Sequence, residues 1–315
     1  MIYTVTLNPA VDREMLVSKI QYDTVLRALD WHIDFGGKGF NVSRMLRALG
    51  ASSCALGFVG GKSGEILHEG LNALDILTDF VWVEGETRTN ISIVTPDHAH
   101  YLKVNEPGPE ISSARRQEFL DRMQALVRPD DWWVLAGSLP PGVPEGMYAE
   151  MVRIIEAGGA HTILDTSGLA LEHGCRAGAY LVKPNSFEAE KLTGIAVHGP
   201  QEALQAARRI QQMGVAIVII SLGKDGALLV GPQESWLARS PEIKESNPIG
   251  AGDSLVGGVV WALSARRSLK EALCWGVACG AASASQAGTA VGGREQVEKL
   301  FTQVAIEPVG GLETG

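Results

Sequence analysis

The chain has 315 residues, 45% of them hydrophobic and 20% charged, with a formal net charge of −9. Those proportions belong to an ordinary folded protein, and the acidic balance excludes an extended nucleic-acid surface, which needs a basic stripe. No apolar run reaches eighteen residues and the first residues lack the pattern of a signal peptide, so no membrane partner and a cytoplasmic location are expected.

Strands and helices alternate. A strand over 2–7 is followed by a helix from Asn41, where Val42, Met45, Leu46 and Leu49 fall at helical spacing before Gly50. A strand over 54–59 precedes a helix capped by Ser63 and running to Leu74. Ser112 caps a helix through Val127, and a short apolar strand spans 132–136. A helix over 145–157, a strand over 162–165 and another over 180–182 come next. Helices over 186–192 and 202–213 stop at Gly194 and Gly214, and 215–221 is a continuous apolar strand. Buried strands alternating with helices predict an α/β fold with a mostly parallel, doubly wound sheet covered on both faces. Ligands of such sheets gather at the C-terminal strand ends.

Residues 11–35 and 81–104 break this alternation with β-type patterning (Val81, Val83; Ile91, Ile93), and read as a small β-lid projecting from one domain spanning 1–315. Residues 307–315 read as a frayed tail. Cys54, Cys175, Cys274 and Cys279 form no CxxC pair, so reduced thiols are expected. His98 and His100 share one face of a short segment; lacking the four ligands of structural zinc, they read as a solvated loop.

The chain is rich in glycine, 37 residues clustered at 36–39, 57–64, 137–142, 250–258 and 288–293, as loops that approach a ligand closely would be. The turn Gly250-Ala251-Gly252-Asp253 leads into a helix from Asp253 to about Ala265. Unpaired N–H groups there suit a transferring phosphoryl group, and the carboxylate could take a proton from an attacking hydroxyl. A plain N-cap aspartate explains the turn equally well. Asn185 and Glu188 share a helix start and offer oxygens to Mg²⁺, or form a capping box. Gly36-Gly37-Lys38-Gly39 before Asn41 suits an anion, with Asn41 near sugar hydroxyls, and Arg88 could pair bidentately with a phosphate. The stretch Gly57-Phe58-Val59-Gly60-Gly61-Lys62-Ser63 is not a Walker A loop, because Leu56 stands where its first glycine belongs.

Taken in order, these motifs resemble the PfkB (ribokinase-like) carbohydrate kinases over nearly the whole chain: Thr6-Leu7-Asn8-Pro9-Ala10-Val11-Asp12, the 36–42 loop, Gly137-Ser138-Leu139-Pro140-Pro141-Gly142, Lys183-Pro184-Asn185, Ser221-Leu222-Gly223-Lys224-Asp225-Gly226 and the turn at 250–253. The first two are most similar to the 1-phosphofructokinase and tagatose-6-phosphate kinase branch. The resemblance implies Asp253 as base and the amides of Gly250, Ala251 and Gly252 as an anion hole. Asp12, Gly37, Lys38 and Asn41 would hold a sugar phosphate, with Arg88 and Ser138 closing around it. Lys183, Asn185, Ser221, Gly223, Lys224, Gly226, Gly252 and Ser285 would line the ATP side. Asn185 and Glu188 would place Mg²⁺ through water, and a monovalent cation such as K⁺ could assist. The implied reaction converts fructose 1-phosphate to fructose 1,6-bisphosphate. Tagatose 6-phosphate or fructose 6-phosphate is the alternative acceptor, with residues 105–109 closer to tagatose-6-phosphate kinases. An unphosphorylated sugar would need Lys38 and Arg88 less, and a non-catalytic sugar-phosphate sensor would lose Asp253 or its glycines. Exposed lid edges invite a homodimer.

Overall fold

The computed structural model describes residues 1–96, 101–286, 288 and 290–310. His98, His100 and the last five residues of the expected tail lie outside the described residues. In chain order the elements begin with β1 (Ile2–Thr6), β2 (Ala10–Val17), β3 (Ala28–Gly36), α1 (Lys38–Ala48), β4 (Cys54–Val59) and α2 (Gly61–Ala73). They continue through β5 (Leu77–Trp82), β6 (Arg88–Val94), β7 (Tyr101–Asn105), α3 (Ser113–Leu126), β8 (Trp132–Ala136) and α4 (Met147–Ala157). Next come β9 (His161–Asp165), α5 (Gly168–Arg176), β10 (Leu181–Val182), α6 (Ser186–Thr193), α7 (Pro200–Gln211) and β11 (Ile217–Ser221). The last are β12 (Ala227–Val230), β13 (Ser235–Arg239), α8 (Ala251–Ser264), α9 (Leu269–Ala284), α10 (Arg294–Phe301) and β14 (Ala305–Pro308).

The large sheet runs β14-β13-β12-β11-β10-β9-β8-β1-β4-β5. From β11 to β5 every pairing is parallel. Its apolar strands are two interleaved period-two patterns. Tyr3, Val5, Trp133, Leu135, Val218 and Ile220 face one apolar layer, which α3, α4, α5 and α7 cover. Ile2, Trp132, Val134, Ile217 and Ile219 face the other, which α1, α8, α9 and α10 cover. Both faces are buried, so no polar alternation survives in the sequence.

Several expectations shift. The turn at Gly223–Asp225 reverses the chain, and Gly226 (φ +104) lets it run back, since a Cβ there would meet the Ala238 carbonyl at 2.0 Å. The three strands β12–β14 therefore extend the parallel sheet in antiparallel fashion. Residues 305–308, part of which the tail reading covered, are β14, paired to β13. Ser63 caps nothing: the N-cap of α2 is Gly60, and the Glu86 carboxylate accepts from the N–H groups of Lys62 (3.1 Å) and Ser63 (3.0 Å). A distant carboxylate has taken the role a local hydroxyl was expected to play. Ser112 does cap α3, accepting from the Arg115 N–H.

The small sheet runs β3-β2-β6-β7, with β2–β6 parallel and the outer pairs antiparallel. Residues 81–82, read as lid, close β5 on the large sheet, paired to Phe58 and Val59. Across the small sheet Asp34, Asp12, Asn90 and Asn105 stand opposite one another, so their side chains share one face. The opposite face carries Val11, Ile33 and Phe35, which join Leu67 and Leu71 of α2 in a third apolar cluster. Only glycine fits at position 70, where a Cβ would lie 2.1 Å from the Phe35 ring. The lid root is thus wedged on α2, with its polar face turned the other way.

Candidate active site

The loops after β1, β8, β9, β10 and β11 share the C-terminal edge of the parallel sheet, and α1 and α8 start there. The glycine loop 36–39 brings α1 against this edge. A Cβ on Gly39 would lie 2.7 Å from Thr6 Oγ1, and one on Gly36 would lie 2.4 Å from the Asp12 carboxylate. Glycine there lets Lys38 and Asn41, both in the first turn of α1, reach the centre of the edge.

Helix α8 begins two residues earlier than the sequence suggests. Gly250, left-handed at φ 81, is its N-cap, and Asp253 lies inside the first turn. The N-cap alternative for Asp253 is therefore overturned: the carboxylate caps nothing and points into the site. Asp253 is only 7% exposed. Its Oδ2 accepts from Asn41 Nδ2 at 2.8 Å, and its Oδ1 lies 4.0 Å from Lys38 Nζ. The expected amide set also changes, because the Ala251 N–H is turned to the Pro248 carbonyl (3.2 Å). Gly252 and Asp253, the next amides, have no helical carbonyl four residues back.

A residue that sequence reasoning missed sits beneath this cluster. Asp165, at the C-terminal end of β9, is 1% exposed. Both its oxygens accept from Lys38 Nζ at 3.2 Å, and Oδ1 lies 3.3 Å from Lys183 Nζ. Burial opposes the Asp165 charge, but Lys183 and Lys38 outweigh it and hold the carboxyl below its ordinary value. Burial likewise works against the Lys38 ammonium, and Asp165, Asp253 and Glu188 reverse the balance, so it stays protonated. Asp253 goes the other way: burial, assisted by the Asp165 charge, overrides Lys38, the Asn41 hydrogen bond and Lys183, and pushes it up to about 6. A carboxylate of that affinity is ionised at neutral pH and still able to accept a proton.

Two spaces flank the cluster. On one side is a groove of ≈640 Å³ lined by Asn185, Ser221, Gly223, Lys224, Gly226 and Gly252, six of the eight residues expected on the ATP side. Lys183 lies beneath it, 4% exposed, with its ammonium about where a Cβ on Gly252 would touch it (3.6 Å). Ser285 lies outside the groove, in an adjoining ≈570 Å³ pocket with Gln286 and Gln296, from which it accepts hydrogen bonds. The groove's far wall was only partly foreseen: Val277, Gly280, Ala281 and Ala284 present small side chains from one face of α9, and Pro241 and Ile243 come from the loop after β13.

On the other side is the polar face of the lid. Asp12 Oδ1 accepts from Asn90 Nδ2 at 2.7 Å. Arg88 donates to the carbonyls of Asn8 (2.9 Å) and Glu106 (3.3 Å), and Asn8 Nδ2 reaches Ser138 Oγ at 3.5 Å. Thr6 Oγ1, Asn8 Oδ1, Asn90 Oδ1 and Arg88 Nε are buried with no partner among the described residues. Buried polar atoms are seldom left so. Lys38 is the surprise. It was expected beside Arg88 as a reader of phosphate, and the structure pairs it with Asp165 at the centre.

Asn185 and Glu188 form a capping box. Asn185 Oδ1 accepts from the Glu188 N–H (2.8 Å), and Glu188 Oε2 accepts from the Asn185 N–H (2.9 Å). Each oxygen keeps a second lone pair, so the donor set still fits a hydrated hard cation.

A buried carboxylate at a helix start, between a groove and a polar lid, fits the ATP-dependent phosphotransferases acting on an alcohol group, the class in which its relatives place the protein. The chain belongs to the pfkB family of carbohydrate kinases, whose family model matches residues 5–295. It is 36% identical to the 1-phosphofructokinase of Bacillus subtilis over 97% of this chain and 99% of that protein. It is 32% identical to the 1-phosphofructokinase of Borreliella burgdorferi over 98% and 99%. The phosphofructokinase-2 of Escherichia coli, solved in complex with potassium, superposes with a TM-score of 0.91 at 29% identity, over 96% of this chain and 98% of that one.

Proposed function

We propose that the protein transfers the γ-phosphoryl group of ATP to fructose 1-phosphate, giving fructose 1,6-bisphosphate and ADP. The observation that carries this reading is the position of Asp253, buried between groove and lid and held by Asn41. Ionised Asp253 accepts the proton of the sugar hydroxyl, and that oxygen bonds to the γ-phosphorus. The bond to the β,γ-bridging oxygen breaks and its electron pair leaves with ADP. Lys38, Lys183 and the amides of Gly252 and Asp253 face the charge that spreads over the transferring group.

Asp12, Gly37, Lys38, Asn41, Arg88 and Ser138 hold the sugar phosphate in this reading, and Asn90 and Asn8 join them. Lys183, Asn185, Ser221, Gly223, Lys224, Gly226 and Gly252 hold the triphosphate, with the small face of α9 against the base and Ser285 at its margin. Asn185 and Glu188 would hold Mg²⁺ through water, and the ion would neutralise phosphate charge. The potassium in the related structure supports a monovalent-cation requirement. The whole of 1–315 acts as one catalytic unit whose lid comprises β2, β3, β6 and β7. Exposed apolar side chains on the lid support a homodimer, and the thiols, all free, support a cytoplasmic setting.

A second reading takes tagatose 6-phosphate or fructose 6-phosphate as the acceptor. It draws on the 105–109 segment, whose Glu106 carbonyl touches Arg88. Comparing kcat/KM for the three sugar phosphates decides the matter. Fructose 1-phosphate is expected to lead by at least about tenfold, equivalent to 1.4 kcal/mol in transition-state binding. A lead for either 6-phosphate transfers the assignment to it, and no ADP from any of the three makes the protein a sensor.

A further inference from the structure

Asp165 lies at the end of an apolar strand, where a charged side chain is costly to bury unless it is paired. It is paired twice, with the ammonium groups of Lys38 and Lys183. These lysines come from different elements, the start of α1 and the loop after β10. Two ammonium groups so close repel each other, and their common anchor is the Asp165 carboxylate. Asp253, from α8, is the other carboxylate in contact with Lys38, at 4.0 Å against 3.2 Å for Asp165. Tyr148 of α4 lies close behind Asp165, and Glu188 of α6 faces Lys38. The Tyr148 hydroxyl is occupied, donating to the Ala136 and Gly137 carbonyls.

We propose that Asp165 is a positioning residue that holds Lys38 and Lys183 side by side at the point of transfer and keeps Lys38 off the catalytic carboxylate of Asp253. Two positive charges then face the transferring group before the reaction begins, so none has to be gathered during it. Without Asp165, the Lys38 ammonium moves the short distance to Asp253. It becomes a direct ion pair there and blocks the oxygen that must take the proton. The role rests on the phosphoryl-transfer reading of the site. Failure of that reading is seen separately, because the unsubstituted protein would then make no ADP with any sugar phosphate.

The test is a cycle of Asp165→Asn, Lys38→Met and the double variant, read as kcat, KM for both substrates, and the pH dependence of kcat/KM. Asp165→Asn is expected to lower kcat by about 10²–10³, the scale of losing one preorganised electrostatic group. Its acidic limb should shift to lower pH, because the Asp165 charge that raises Asp253 is gone and Lys38 now stabilises ionised Asp253 directly. In the double variant the shift relative to Lys38→Met should shrink to the part due to the lost Asp165 charge, and the further loss of kcat should be at most about tenfold, because only the part that acts through Lys183 remains. Losses that multiply, an unmoved acidic limb, or an unchanged kcat in Asp165→Asn each overturn the proposal. So does recovery of kcat by raised Mg²⁺, which would make Asp165 a metal-positioning group. Asp165→Asn leaves a buried positive charge and is prone to misfold. The double variant removes one charge of each sign, so its kcat relative to Lys38→Met carries the test if the single variant is unstable.

Discussion

Asp253 concentrates the conflict between stability and function in one side chain. Its carboxyl is raised to about 6 from 3.8, chiefly by burial. The folded state therefore binds the proton more tightly than the unfolded state, and this group's contribution to stability falls as pH rises from about 4 to about 6. Above that window the ionised group costs on the order of 2–3 kcal/mol. Asp253→Asn removes both the cost and the base. Its melting temperature at pH 7.5 is expected to exceed that of the unsubstituted protein, while kcat falls by about 10²–10⁴ with little change in KM. Calorimetry and steady-state rates check this together, and a variant keeping near-full kcat would remove Asp253 from the chemistry. The same proton affinity predicts an acidic limb near pH 6 in kcat/KM for the unsubstituted protein, readable from a pH–rate profile. Asp165, by contrast, was invisible as a functional residue. It reads in sequence as the last residue of a strand, and only the convergence of Lys38 and Lys183 from distant segments gives it a role.

At the scale of elements, helix starts carry most of the site, and their caps differ in how far they can be read locally. The α6 capping box is local: Asn185 and Glu188 are three residues apart, and both alternatives raised by their spacing remain compatible with the observed hydrogen bonds. The two roles separate by substitution. Asn185→Ser keeps a capping oxygen and should leave the melting temperature nearly unchanged, while the KM for MgATP rises several-fold. Asn185→Ala should raise KM similarly and also cost about 1 kcal/mol of stability, seen in denaturant titration. Equal KM for all three proteins would reduce this pair to a cap. The starts of α2 and α8 were misjudged for a physical reason. The α2 amides are served by Glu86, more than twenty residues away, and the α8 cap is a left-handed Gly250 that uses backbone geometry instead of a side chain. Neither device leaves a side-chain signal beside the helix it serves.

Across the whole molecule the lid is the region whose surface differs from the rest. Tyr22, Val25, Leu29, Trp31, Tyr101 and Val104 are exposed large apolar residues in or beside it. Trp31 is 60% exposed, with Arg13 over its ring. A second copy covering this surface would explain why so much apolar area stands on a projecting sheet. Trp31→Glu is expected to convert a dimer to a monomer in size-exclusion chromatography with light scattering. Identical masses for the two proteins, whether monomer or dimer, would exclude an interface centred there.

The parallel part of the sheet and its alternation with helices were legible in the sequence because each depends on short-range patterns. Apolar runs alternate with helical periodicity, and small residues cluster where the backbone must turn or admit a ligand. Motifs that follow successive parallel strands must also meet at one edge, so the grouping of the turns at 137–142, 183–185 and 221–226 followed from order alone, whereas Lys38 follows a lid strand and Asp253 an antiparallel one. What only the tertiary structure decided is how charges divide among neighbours. Lys38 could serve a substrate phosphate or a buried carboxylate, and the glycines beside it suit an anion without saying which. The choice falls to Asp165, 127 residues away and 3.2 Å from its ammonium group, because the energy of a buried charge is set by distance and burial and not by position in the chain.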